Sequence, residues 1–416
     1  MEPAKMTSTT TTRAATLLAS LLILAPAANA ASPLLLSARG TAQLPAQGTT
    51  ITERLLRAPD NVLPLDGPSV DTSMVTGQAS ASRKASATGP NVDSRAYGFS
   101  SEKWPYSTAR VASTSESLSV SALDNPVTAS PYRQTGKLLM DFGDKTYQCS
   151  ASLILPNVLV TAAHCVQDFG KYDAGKATNF RWMPANTGDP TDPANAPFGV
   201  WTGSTVVISD TYYNGTDTCA RGANGIVCNN DIALIALDRL NGKRAAEVLG
   251  DAYAYGYNGY SYVRSPAFKN MTVVDISQLG YPAAFDNGWQ MQRNNSFGKL
   301  TVWRGVRTTT RKPLLNTQFG SSLSGGSSGG PWLVNFGTRP DVDEAEANLG
   351  NYSQSNVVVG VTSYGYTAAG MNVQGASYFG QNAEYPLADY GGYGKGNIAA
   401  LVQRMCGSVP DACSAE

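Results

Sequence analysis

From about Pro131 onward the chain is written in short hydrophobic runs separated by Gly, Asn and Pro. The runs include "GKLLMDF" (Gly136–Phe142), "YQCSASLIL" (Tyr147–Leu155), "NVLVTAA" (Asn157–Ala163), "STVVIS" (Ser204–Ser209) and "DIALIAL" (Asp231–Leu237). Further on come "MTVVDIS" (Met271–Ser277), "KLTVWRG" (Lys299–Gly305), "WLVNF" (Trp332–Phe336) and "NVVVGVTSY" (Asn356–Tyr364). Each is too short for a globular helix, and together the runs favour β structure. Many such runs, with no helical pattern alternating between them, predict an all-β barrel or sandwich. A helical pattern appears only at the end, over Asn397–Met405 ("NIAALVQRM"), and no solenoid repeat is visible.

The first third of the chain has a different texture. Lys5 and Arg13 precede an apolar run, Ala14–Ala25, and Ala28-Asn29-Ala30 offers a small-x-small cleavage site. This is the pattern of a secretory signal over residues 1–30, and the run is too short to span a bilayer core of about 30 Å. Residues 31–130 are rich in Ala, Ser, Thr and Pro, with weak periodicity. They read as a pro-segment or a poorly structured N-terminal region, a small accessory domain being the alternative. Within them Thr76–Ser94 has linker composition, and Trp104–Ala112 is apolar enough to pack on the domain C-terminal to it.

Composition narrows the function. In 416 residues Lys plus Arg equal Asp plus Glu at 31 each, and no like-charge run stands out, so neither nucleic acid nor an anionic membrane is an expected partner. Charged residues are 15%, against roughly 25% in an average soluble domain, while a 42% apolar content is ample for a core. Six cysteines, an even number, suit an oxidising, extracellular setting. N-x-S/T sequons at Asn214, Asn270, Asn294 and Asn351 are compatible with a secreted glycoprotein.

The chain holds a single histidine, His164, in "VTAAHC". One imidazole cannot build a site that needs two, which removes the H-E-x-x-H zinc proteases. The Gly-rich "GGSSGGPW" (Gly325–Trp332) lacks the Lys-Ser/Thr pair of a phosphate loop, and Pro331-Trp332 with the apolar run behind them argue against a slack linker. It also satisfies G-x-S-x-G around Ser328. The α/β-hydrolase order is Ser, acid, His, however, and here His164 comes first. The order left is His164, an acid, Ser328. Between them Asp231 opens the strand pattern "DIALIAL"; alone it would read as a turn or strand-capping aspartate.

Together "VLVTAAHC", "NNDIALI" and "GSSGGPW" resemble the three signature blocks of the chymotrypsin/trypsin-like serine peptidases, in family order over roughly residues 131–410. The resemblance implies two packed six-stranded antiparallel β-barrels, about 131–250 and about 251–405 of a 131–416 peptidase domain, with a C-terminal helix. It implies His164 as general base, Asp231 as its orienting acid and Ser328 as nucleophile. The backbone N–H groups of Gly326 and Ser328 would form the oxyanion hole. Cys149 and Cys165 match the family's disulfide beside the histidine; pairing of Cys219 with Cys228 and of Cys406 with Cys413 rests on proximity alone. Ser363, Tyr364 and Gly365 match the strand that pairs with an extended substrate, and Ser322 matches the base of the specificity pocket. No cofactor and no metal is implied. The expected partners are a peptide or protein substrate and the chain's own pro-segment, with the peptidase a secreted monomer.

Two departures qualify the resemblance. Ser327 stands where many animal members carry the aspartate that receives a newly cut N-terminus, so that activation switch is not expected, although Arg110-Val111 resembles a cleavage point. The pro-segment would act instead as a folding aid or a plug. "LGYPAA" and "SSGGP" also resemble the glutamyl-endopeptidase branch, yet Thr362 holds the place of that branch's pocket histidine. With Ser322 at the pocket base, and unless Glu384 or Asp389 reaches in, a neutral residue is expected on the acyl side of the cut. A silent homologue used as a binding module and a serine esterase are the rival functions.

Overall fold

The computed structural model describes residues 30–41, 43–59, 62, 97–99, 104–112, 126–303, 308–337, 354–366, 372–386 and 389–414. The signal pattern before Ala30 and the Thr76–Ser94 linker lie outside the described residues.

Six antiparallel strands close into a barrel. In spatial order they are Trp201–Ser209, Ala233–Leu237, Val158–Thr161, Lys145–Leu155, Thr135–Phe142 and Thr178–Pro184. The last returns to the first through the pairs Trp201↔Trp182 and Thr202↔Arg181. Val158–Thr161 and Ala233–Leu237 are buried at every position, which is why both read as unbroken apolar runs. Inside, Leu153, Leu159, Ile235, Trp182 and Trp201 form one core. Each large side chain so buried is worth about 1.5–3 kcal/mol.

A second sheet curls into a half-barrel and does not close among the described residues. Its order is Ala254–Tyr255, Val357–Val361, Pro331–Val334, Met271–Gly280, Gln292–Trp303, Leu314–Gly320, Val373–Ser377, Tyr364–Tyr366. Leu279, Leu333 and Val358 of this sheet belong to the same core as the first barrel, so the two halves share an interior.

The C-terminal helix runs from Gly396 to Ser408, a residue beyond the sequence pattern at one end and three at the other. Its Ile398, Leu401, Val402 and Met405 lie at helical spacing and join the first barrel's core, so the end of the chain crosses back to the N-terminal half.

Residues before Pro131 contribute strands that their composition did not announce. Pro33–Ser37 pairs with Thr205–Ser209. Thr52–Glu53 and Leu56–Ala58 pair with the first and second sheets respectively. Pro105–Arg110 pairs with Gln292–Asn295, and Trp104 beside it is buried. These stretches lack an alternating pattern because they are edge additions, whose partners rather than their own side chains fix them.

Candidate active site

Strand pairing brings His164 and Asp231 together. Ala233 lies opposite Thr161, so the residues just beyond Thr161 and just before Ala233 emerge at the same end of the barrel. A single turn of 3-10 helix, Ala163–Cys165, then turns the imidazole inward. The Asp231 carboxylate accepts from the His164 backbone N–H (2.8 Å) and lies 2.8 Å from His164 Nδ1. Ser363 Oγ donates to the same carboxylate at 2.5 Å. From behind, Ser377 Oγ accepts the Asp231 N–H and itself donates to the Cys228 carbonyl. A carboxylate with no exposed surface is thus held by three donors, the condition for burying charge. An Nδ1 that donates to carboxylate leaves Nε2 as the basic atom.

Ser328 lies on the turn that leads into strand Pro331–Val334. The turn is pinned from both halves of the molecule. Ser150 N–H donates to the Ser328 carbonyl (2.7 Å), and Gly329 N–H donates to the Thr362 carbonyl (2.7 Å). Ser150 Oγ donates to the Gly326 carbonyl and accepts from Tyr281 N–H. Since Ser150 follows Cys149, and Cys149 is bonded to Cys165, these contacts seat the Ser328 turn beside His164.

Two glycines are obligatory here. Gly326 has φ +90°, and a Cβ on it would fall 2.4 Å from the Tyr281 carbonyl oxygen. Gly329 has φ +78°, and a Cβ would fall 2.0 Å from Thr161 Oγ1. Only Gly tolerates such dihedrals together with so close a backbone approach.

Ser328 Oγ and His164 Nε2 are both buried, and neither has a hydrogen-bond partner among the described residues. Both atoms are thus free of structural hydrogen bonds within the described residues, on segments that the Ser150 and Cys149–Cys165 contacts bring together.

Ser322, expected at the base of the specificity pocket, has its Oγ 2.7 Å from Thr108 Oγ1, on the added edge strand. Ser363 lies on the edge beside Gly375, and its hydroxyl serves Asp231; the sequence carried no signal for that second role. Tyr364 is buried with its ring over Gly375, and Gly365 pairs with Gln374. Thr362 Oγ1 accepts from Gln278 and Trp332. Glu384 is buried against Thr218 and Asn229, and Asp389 pairs with Lys395, so the contacts of both carboxylates lie elsewhere. Ser327 Oγ donates to the Ser324 carbonyl within its own turn. Arg110 is bound to Asp286 inside a strand, so a cut there would have to break that pairing. Ser150 had no sequence signature at all.

The cysteines pair as Cys149–Cys165, Cys219–Cys228 and Cys406–Cys413. Sulfur atoms lie near His164 and near Asp217, yet in disulfides they are not thiolate ligands for a metal. Of the sequons, Asn294 is buried and bonded to Thr108 and Gly320, Asn214 caps Thr216, Asn270 is exposed, and Asn351 lies outside the described residues.

Comparison with known families matches residues 126–379, more than half of the 416, to the model described as Trypsin. The chain belongs to the trypsin family of serine proteases. Among solved structures it is similar to the thermostable serine protease AL20 from an extremophilic microorganism: 24% identity, 60% of this chain and 92% of that one, TM-score 0.42. Similar too is the protease Anisep from Arthrobacter nicotinovorans, at 23% identity over 60% of this chain and 91% of that one, TM-score 0.42. A Glu endopeptidase in complex with MPD shares 16% identity over 65% of this chain and 89% of that one, TM-score 0.38. Comparison with curated proteins found no match.

Proposed function

We propose that this chain is a secreted serine endopeptidase that cuts peptide bonds through an acyl-enzyme on Ser328. The observation that carries the reading is the buried His164–Asp231 pair, 2.8 Å apart, with His164 Nε2 and Ser328 Oγ both buried and unpartnered among the described residues. In this reading Nε2 takes the Ser328 proton as Oγ attacks the carbonyl carbon. Asp231, fixed by Ser363 and by the His164 backbone, stabilises the imidazolium that results. The Gly326 and Ser328 N–H groups receive the developing oxyanion. His164 then protonates the departing amine, and water releases the acyl group by the same steps in reverse roles. Apart from substrate and water, every step in this reading uses the chain's own residues.

For specificity we propose a neutral residue on the acyl side of the cut. Support comes from an uncharged Ser322, whose hydroxyl meets Thr108, at the position matching the pocket base, from Thr362 in place of a second imidazole, and from the engagement of Glu384 and Asp389 with other partners. The signal-like N-terminus and the disulfides support secretion.

Peptide turnover by Ser328→Ala and by His164→Ala tests the mechanism. Each should fall by about 10⁴–10⁶-fold with the fold retained, and near-normal turnover in either would refute it. A peptide-library digest tests specificity, where strict cleavage after Arg, Lys or Glu would refute the neutral pocket.

A further inference from the structure

Residues 51–58, far upstream of the barrels, cross the face that carries His164 and Ser328. Thr52 and Glu53 pair with Tyr147 and Gln148 of the first barrel, and the ladder is parallel. Arg54 N–H donates to the Gln148 carbonyl at 3.1 Å. The Arg54 carbonyl then receives the Gly326 N–H at 3.4 Å, a long hydrogen bond from one of the two oxyanion-hole donors. Beyond it Leu56, Arg57 and Ala58 pair with Tyr364, Gly365 and Tyr366 of the second sheet, again in parallel.

Side chains anchor the crossing at both ends. Arg54 is ion-paired to Asp168 at 2.6 Å, with its guanidinium 3.9 Å from the centre of the Phe142 ring. Arg57 donates to the Tyr366 carbonyl, Leu56 packs on the second core and Ala58 is fully buried. Glu53 lies so close over Gly325 that a Cβ there would fall 2.2 Å from its Cγ.

The direction of the strand decides what this segment can do. A productive substrate places its acyl carbonyl at Gly326 and Ser328, and its leaving nitrogen where His164 Nε2 can protonate it. His164 belongs to the first barrel, one residue from a disulfide to the neighbour of Gln148. The leaving-group side is therefore the Tyr147–Gln148 side, and the acyl side is that of Tyr364–Tyr366. A substrate runs from the second sheet to the first. Residues 52–58 run from the first to the second, which puts the amide nitrogen that follows the Arg54 carbonyl on the acyl side, away from His164.

We infer that Thr52–Ala58 is an inhibitory strap that fills the substrate cleft backwards, placing a carbonyl at the oxyanion donor without offering a cleavable bond. The inference rests on the catalytic roles proposed for Ser328 and His164. It names Gln148 and Tyr364–Tyr366 as the rails on which both strap and substrate lie, and it makes release of the strap the step that exposes Ser328.

Two measurements on the whole chain test it. In a Ser328→Ala background, Thr52→Cys with Tyr147→Cys, and separately Arg57→Cys with Gly365→Cys, should form disulfides on mild oxidation. In the crossed chains, Thr52→Cys with Gly365→Cys and Arg57→Cys with Tyr147→Cys, no disulfide should form; a strap bound like a substrate would join these pairs instead of the first two, and that result would overturn the proposal. With Ser328 intact, a fluorophosphonate probe should label the natural chain slowly. It should label the Arg54→Glu, Leu56→Asp double variant at least about tenfold faster, because the open fraction limits the rate. Equal and rapid labelling of the two would overturn inhibition while leaving the catalytic reading in place. Labelling of neither, with both predicted disulfides formed, would bring down the catalytic reading and the inhibition with it. Because the cysteine pairs report register without reference to activity, misfolding of the double variant does not shelter the proposal.

Discussion

Asp231 meets His164 twice, accepting its backbone N–H at one carboxylate oxygen while the other lies 2.8 Å from its ring Nδ1. The two contacts fix the position and the rotation of the imidazole together, so the orientation of Nε2 is decided by main chain as much as by side chain. Asp231→Asn would put an amide NH₂ where an acceptor is needed. Turnover should fall about 10⁴-fold with little change in melting temperature. A drop of less than about tenfold would show that the ring is oriented by something else.

The Ser363 hydroxyl donates to Asp231, and its proposed role is to hold that carboxylate. Ser363→Ala removes one hydrogen bond to a buried charge, worth about 1.5–3 kcal/mol. The expected result is a kcat lower by about tenfold or more, with KM for a peptide nearly unchanged. A rise in KM at constant kcat would instead mean that the hydroxyl touches substrate.

At Gly326 a methyl group meets the Tyr281 carbonyl at 2.4 Å and a backbone with φ +90°. Gly326→Ala should both displace the oxyanion donor, at a cost of about 3–4 kcal/mol in the barrier, and lower thermal stability. Unchanged kinetics would contradict the place given to that N–H.

Lys137 is a buried cation beneath the same cleft, its Nζ donating to Gln148 Oε1 at 2.7 Å. Burial pulls its ammonium down to about 7, against the opposing pull of Asp189. In the unfolded chain the group titrates near 10.4. Between those values the unfolded chain holds the extra proton, so stability from this group rises with pH across the window. Below about pH 7 the cost is present in full, on the order of 5 kcal/mol at most. Lys137→Met should therefore raise the melting temperature clearly at about pH 6 and much less at about pH 9.5. An equal shift at both would contradict this account of burial.

The blocks that signal the trypsin family were legible because that chemistry restricts their residue types: a single His, an Asp opening a buried strand, a Ser framed by glycines. The strands were legible where both faces are buried, as in Val158–Thr161 and Ala233–Leu237. What stayed hidden was set by pairing and not by composition. Thr52–Ala58 has no periodicity of its own, since its backbone is held by Tyr147–Gln148 and Tyr364–Tyr366. Ser150 and the second role of Ser363 depend on where two distant segments meet, which no local pattern records. The half-barrel shape of the second sheet is likewise a property of strand order.

The most direct test of the central claim is covalent labelling by a fluorophosphonate, with the adduct mapped by mass spectrometry in the Arg54→Glu, Leu56→Asp chain. The account predicts a single adduct on Ser328, lost on His164→Ala and sharply slowed by Asp231→Asn. An adduct on another serine, or labelling of Ser328 indifferent to His164, would contradict it.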